Sequence, residues 1–371
     1  CERRRHATTM APFRGGGPRT QRLERRDPGD RARATGYDDR HMNSSAVTSS
    51  KVLISRSGLR YRKIRDRIIE TFLLAAGLVA VFTTLAIVAI LLIESAAFFE
   101  HVSLKEFLTD TMWTPLFADA RYGILPLVAG TLTTTIVALL VAVPVGTIIA
   151  IYLSEFAPHR VRETVKPVLE LLGAVPTVVY GYFALMAVTP LLQKLMPELP
   201  GFNMLSAGLV IGLMIVPYVS SVSEDAMRAV PRYMREGSYA MGATRLQTAL
   251  RVVVPGAFSG LAAAFILGIS RAVGETMVVA IAAGMQPNFT FDPTEQAATI
   301  TAYIVQVSLG DTPAGTLAYR TIFAVGMLLF AGTFLLNLAS AWLRHRYREE
   351  YALTTDVMRD WIEEREIEGG R

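Results

Sequence analysis

Arg271 and Glu275 lie four residues apart in "LGISRAVGETMVV", residues 267–279, a stretch otherwise apolar enough to sit in a lipid bilayer. A charged side chain near mid-membrane costs about 2.5–3.5 kcal/mol on insertion scales, so both are expected to face a bundle interior or a wet cavity. Two chemistries fit the pair. At a spacing of four on one helix, the opposite charges neutralise each other across a turn and brace the packing. Alternatively, the guanidinium offers its planar fork of donors to a divalent oxyanion crossing the bundle, since phosphate accepts such a fork bidentately. On this second reading Glu275 restrains the arginine while no anion is bound and accepts a hydrogen bond from a protonated phosphate oxygen. Sulfate carries no such proton, so Glu275→Gln is expected to weaken discrimination against it. Thr276 completes the candidate pathway set. Gly274 and Ala272 allow another helix to approach closely.

Long apolar runs must position these groups. The chain has 371 residues, 51% hydrophobic and 19% charged, too apolar for a soluble globular protein of ordinary composition. A helix needs about 20 apolar residues to cross about 30 Å of hydrocarbon. Six stretches qualify: 71–93, 122–153, 171–192, 201–222, 252–283 (interrupted by Arg271 and Glu275) and 321–343. The expected fold class is therefore all-α, a polytopic membrane protein with six transmembrane helices. Arginine and lysine number 18 in the two terminal flanks and the segments on their side, against 4 in the alternate segments. By the positive-inside rule both termini are expected in the cytoplasm. The net charge of +5 is then a topology signal, and no nucleic-acid partner is invoked. The single Cys1 and five scattered histidines offer no disulfide and no metal-ligand spacing.

Residues 1–50 hold eleven arginines, six acids and few large apolar side chains, and are expected to be disordered. Met42 opens a basic lead-in, so residues 1–41 are expected to lie outside the functional product. The remaining divisions expected are 51–121 (lead-in, first span, external segment), 122–343 (transmembrane domain) and a cytoplasmic tail, 344–371. In that tail Val357, Met358, Trp361 and Ile362 fall at the spacing of a short amphipathic helix. Residues 94–121 mix acids with Phe98, Phe99, Phe107, Trp113 and Phe117 and read as one or two amphipathic helices anchored at the headgroups. The apolar segment 297–310 is too short to span and is expected to pack on the outer face or dip partway in. Pro126, Pro144, Pro176, Pro190 and Pro217 are expected to kink spans. Tyr180 and Tyr182 are candidates either to line the route or simply to pack.

Between spans four and five, within about 224–255, runs "REGSYAMGATRLQTALRVVVPGAF", residues 235–258. Glu236 precedes two small residues, Gly237 and Ser238; Gly242 follows six after the glutamate, then Ala243, with Val252, Val254 and Pro255 at the membrane entry. Small residues let a partner's groove come close, and Gly242 permits a turn that a Cβ would strain. Pro255 needs no N–H if it lies in the first turn of the next helix. None of the five lysines follows a glycine, so no phosphate-cradling loop can be written and any ATP must bind a separate subunit.

This loop resembles the EAA coupling loop of ABC-importer permeases, with Gly and Ser in place of the two alanines and Val in place of Ile and Leu. Together with "SLKEFLTDTMWTPLF", "YLSEFAPHRVRETVKPVLELLGAVPTVVYGYFAL", "SEDAMRAVPRYMREGSYAMGATR" and "SRAVGETMVVAIAAG", it makes the chain from about residue 60 to Tyr351 similar to the PstC family of phosphate-importer permeases. The resemblance implies a type I ABC importer permease fold in the bacterial inner membrane, without covalent catalysis of its own. It further implies a sister permease, PstA, two copies of the ATPase PstB that bind ATP and Mg, and the phosphate-binding protein PstS. The alternatives are a permease for another oxyanion such as sulfate or molybdate, an ATP-independent channel or carrier, and a membrane scaffold.

Overall fold

A computed structural model describes residues 56–342, with side chains from Arg65. The expectations for the N-terminal tail, for a start at Met42 and for the C-terminal amphipathic helix lie outside the described residues. The chain divides at Ala76/Gly77 into two units. In the first unit the described residues form the beginning of α1, Arg56–Phe99; side chains 65–76 are all exposed.

The second unit continues α1 and adds α2 (Leu104–Thr109), α3 (Leu125–Phe156) and α4 (His159–Gly173). There follow α5 (Thr177–Leu195), α6 (Met204–Ala229), α7 (Arg232–Ala240), α8 (Arg245–Gly256) and α9 (Phe258–Val273). The last are α10 (Met277–Ala282), α11 (Ile300–Leu309) and α12 (Leu317–Trp342). Among the described residues five helices are long and apolar enough to cross a membrane, up to six if α8 and α9, bent by 74° at Ala257, count as one span.

Burial grades the spans. Two-thirds of the α6 apolar window is buried, against 11% for α12 and none for α1, so α6 is the hub. Glycines let α3 reach it: a Cβ on Gly208 would fall 2.6 Å from Val137 Cγ1, and one on Gly212 2.7 Å from the Ala138 carbonyl. Backbones approach this closely only where side chains are missing, the usual basis of helix association in lipid, where apolar contact alone gives no net drive.

Three expectations change. The third span does not run through 171–192: α4 ends at Gly173 and α5 starts at Thr177, because Pro176 occupies the N-cap and disfavours helical backbone before it. The only bend above 40° recorded between consecutive described span helices falls at Ala257, two residues beyond Pro255 and just after a π-helical turn at Ala249–Val253. Pro144 and Pro217 sit inside continuous helices, Pro126 at a helix start, and Pro190 just after the π turn Ala184–Val188. Third, the aromatic residues of the external segment are core rather than headgroup anchors. Phe98, Phe107 and Trp113 are at most 2% exposed. Phe98, Phe107 and Tyr122 meet edge to face at 5.5–5.9 Å between centroids, and Trp113 meets Tyr303 of α11 at 5.0 Å. Each such pair contributes about 0.5–1.5 kcal/mol beyond burial. Phe117, 72% exposed, is the exception. The segment 297–310 inserts into the bundle, where the Ile300 N–H donates to Thr131 Oγ1 of α3 at 3.0 Å.

Candidate functional site

Arg271 and Glu275 do not share a helix. Helix α9 ends at Val273, and Gly274–Thr276 separate it from α10. Glu275, 7% exposed, turns its carboxylate to the next helix: Oε1 accepts from the Met277 N–H at 3.1 Å and the Val278 N–H at 3.3 Å. These are unpaired donors of a helix start, which an anionic acceptor satisfies well. Thr301 Oγ1 donates to the Glu275 carbonyl at 2.6 Å, and Thr276 Oγ1 to the Gly274 carbonyl at 3.2 Å. The expected neutralisation across a turn is therefore corrected: with the helix broken at Gly274, the spacing of four no longer stacks the two side chains.

Arg271, half-buried in the last turn of α9, has no carboxylate within ion-pair distance among the described residues. Its guanidinium carbon lies 4.2 Å from the centroid of the Tyr218 ring of α6. Its Nε and the neighbouring Ser270 Oγ are buried atoms without a hydrogen-bond partner. A cation at a helix C-terminus is favoured by the helix dipole, and the aromatic face adds a further attraction. Neither uses the guanidinium's hydrogen-bonding fork. The site thus keeps a permanent positive charge with donors to spare, a combination suited to an oxyanion.

Of the two tyrosines in "PTVVYGY", Tyr180 is 8% exposed and donates to the Leu172 carbonyl at 2.7 Å, so it closes the end of α4. Tyr182 is 56% exposed. Neither approaches Arg271 through a recorded contact. Tyr218, unmarked by any motif, does.

A second constellation occupies the arginine-rich end. Glu224 of α6 is fully buried. Lys166 Nζ of α4 donates to its Oε2 at 2.9 Å and to Asp225 Oδ1 at 2.7 Å. Arg162 Nε lies 2.9 Å and Arg228 Nη1 3.5 Å from Glu224 Oε1. The Arg162 contact is out of line for a hydrogen bond and acts as an ion pair. Burial works against the charge on Lys166, yet the bonds to Asp225 and Glu224 outweigh it and raise the ammonium pKa above its ordinary value.

The loop from Arg235 to Pro255 is fastened nearby. Arg235 Nη2 reaches Glu155 Oε1 at 3.0 Å and donates to the Met227 carbonyl at 2.8 Å, while Nη1 donates to the Val230 carbonyl at 2.6 Å. One arginine thereby ties α7 to the ends of both α3 and α6. Glu236 and Gly237 are exposed, and a Cβ on Gly237 would meet nothing within 4 Å. Ser238 instead hydrogen-bonds Thr248 at 2.9 Å across the loop. Gly242 has φ of 82°, the left-handed turn expected of it, and the Ala243 N–H donates to the Ser238 carbonyl at 3.2 Å. Thr244 and Gln247 form a capping box that starts α8. Met241 is 88% exposed and Leu246 55%. Pro255 is in the last turn of α8 rather than the first turn of α9.

Residues 142–349 match the family model described as "Binding-protein-dependent transport system inner membrane component". The chain is 35% identical over 300 residues to the probable ABC transporter permease protein YqgH of Bacillus subtilis (strain 168), covering 80% of this chain and 96% of that one. It is 35% identical over 262 residues to the phosphate transport system permease protein PstC 1 of Mycobacterium tuberculosis, covering 64% and 76%. In fold it is similar to a chain from the crystal structure of a bacterial alginate ABC transporter in complex with an alginate pentasaccharide-bound periplasmic protein. The TM-score is 0.51 at 17% identity, over 77% of this chain and 96% of that one. The broken spans, the exposed loop at the arginine-rich end and these matches agree: the chain is a multi-pass membrane protein that belongs to the family of binding-protein-dependent transport system inner membrane components.

Proposed function

We propose that this chain is the permease subunit of an ATP-driven phosphate importer and that Arg271, with Glu275 and Thr276 at the adjoining helix break, belongs to its phosphate path. The observation that carries the path is the state of Arg271: a permanent cation among apolar helices, with no carboxylate within ion-pair distance among the described residues and a buried donor unused. An unpaired charge at membrane depth costs about 2.5–3.5 kcal/mol on insertion scales, so one that is kept points to a function. Phosphate enters the reading through relatives named as phosphate permeases, among them PstC 1 of Mycobacterium tuberculosis.

The remaining parts follow from the same reading. A sister permease of the PstA kind completes the path, and a phosphate-binding protein of the PstS kind delivers the anion. Two copies of a PstB-like ATPase bind ATP and Mg, while this chain lacks an ATP site. The arginine-rich ends of the helices face the cytoplasm with both termini, a reading supported by the 18-to-4 charge asymmetry. The loop carrying Glu236, Gly237, Ser238, Gly242, Ala243 and Pro255 receives the ATPase, with Gly237 and Met241 on its open surface. Closure of the ATPase pair moves α7, and Arg235 passes that motion to the ends of α3 and α6. The test is uptake of labelled phosphate into vesicles holding the complete importer. Arg271→Gln is expected to reduce uptake at least about tenfold, the equivalent of losing one charged hydrogen bond, with assembly and basal ATPase unchanged. Wild-type uptake by that variant removes Arg271 from the path.

A further inference from the structure

Tyr218 stands where a counter-ion would be expected. Its ring carries the Arg271 guanidinium at 4.2 Å, and its hydroxyl donates to the Gly173 carbonyl at 3.1 Å, the last residue of α4. Gly173 leaves the ring its room: a Cβ there would come within 3.3 Å of Tyr218 Cζ and of its hydroxyl oxygen. The tyrosine is thus fixed at three places. It is rooted near the middle of α6, its tip is tied to α4, and its face is covered by the guanidinium. An aromatic face holds a guanidinium through its quadrupole while leaving the N–H fork in the plane unspent. A carboxylate at the same place would consume that fork and cancel the charge.

From this we infer that Tyr218 is a positioning residue, which seats Arg271 for an incoming oxyanion without neutralising it; the inference rests on the phosphate-path reading of Arg271 above. The α4 tether gives the seat a link to the arginine-rich end. About two and three turns earlier on the same helix, Lys166 and Arg162 grip Glu224 of α6, so α4 and α6 are joined both there and at Tyr218. A change in the α4–α6 packing shifts the ring and the guanidinium on it.

The test uses the complete importer in lipid vesicles, with wild type, Tyr218→Phe, Tyr218→Leu and Arg271→Gln compared at equal assembly. Modification of Arg271 by phenylglyoxal, quantified by mass spectrometry of its peptide, reads the seat independently of transport. Tyr218→Leu is expected to speed that modification about tenfold, the scale of a desolvated cation–π contact, while Tyr218→Phe, which keeps the ring, stays within about twofold of wild type. An unchanged rate in Tyr218→Leu overturns the inference. In uptake assays Tyr218→Leu is expected to raise the KM for phosphate about tenfold. Adding it to Arg271→Gln should cost nothing further, because it acts through that arginine. Additive losses overturn the inference as well. Faster modification with an unmoved KM upholds the seat and sinks the phosphate-path reading, so the two failures are separable.

Discussion

Two charged side chains of α6 and its neighbour α9 are withdrawn from water, Glu224 at the arginine-rich end and Arg271 among apolar residues, and they are treated in opposite ways. Glu224 is fully buried and surrounded by Arg162, Lys166 and Arg228. Arg271 is half-buried, over an aromatic face, with no acid within ion-pair distance among the described residues. A buried charge that serves only the fold is neutralised, because its desolvation otherwise exceeds what packing returns. A charge left unneutralised keeps its field for something that comes and goes. The contrast separates clasp from site better than burial does, since the more deeply buried group is the structural one.

The comparison can be broken most directly at the clasps. Arg235→Ala would remove the cation paired with the Glu155 side chain, 5% exposed, leaving it the Ser154 hydroxyl, and would take one donor each from the Met227 and Val230 carbonyls. A loss of about 3–5 kcal/mol of stability is expected, read as a fall in the thermal unfolding midpoint of the detergent-solubilised complex. Glu224→Ala should cost less, about 1–3 kcal/mol, because the three cations it leaves are partly exposed and can recover water. Glu224→Gln, which keeps shape and acceptor, should fall between that and wild type. Arg271→Gln is expected to leave the midpoint where it is or raise it.

Much of the fold was legible because membrane spans declare themselves by length and the absence of charge. The positions of Gly242 and Gly237 were also legible, since one needs a left-handed turn and the other open space. The clasp was not. Arg162, Lys166, Arg228 and Arg235 were counted only as topology charges, and nothing local says that Lys166 meets a glutamate 58 residues on. Glu275 misled through its spacing from Arg271, which implies a shared helix only if the helix continues past Gly274. The sequence "TRLQ" carried the capping box of α8 openly, as the pattern of a hydroxyl residue three before Gln247. Tyr218 had no signal of its own: a tyrosine inside an apolar span looks the same whether it packs or seats a cation.

Smaller effects sharpen the picture at the loop. Gly242→Ala meets no steric neighbour, so its cost should be the backbone strain alone, about 1–2 kcal/mol. That loss should appear as weaker retention of the ATPase subunit on co-purification, more than as a lower unfolding midpoint. The smallest effect is a pH dependence. With its pKa raised, Lys166 contributes stability in full below its unfolded value, and that contribution is lost only as pH climbs through the higher folded value. The gap in unfolding midpoint between wild type and Lys166→Met should therefore hold steady from pH 7 to about 9 and close above about 10.5.

The central claim, that Glu224 is a clasp and Arg271 a site, meets its most direct test in one paired measurement. ATP-dependent phosphate uptake and the thermal midpoint are recorded on the same preparations of the complete importer carrying Arg271→Gln or Glu224→Gln. The account predicts that Arg271→Gln abolishes most uptake at an unchanged midpoint, while Glu224→Gln lowers the midpoint and retains uptake in proportion to the protein that stays folded. Full uptake with Arg271→Gln, or its failure to assemble, would contradict the account.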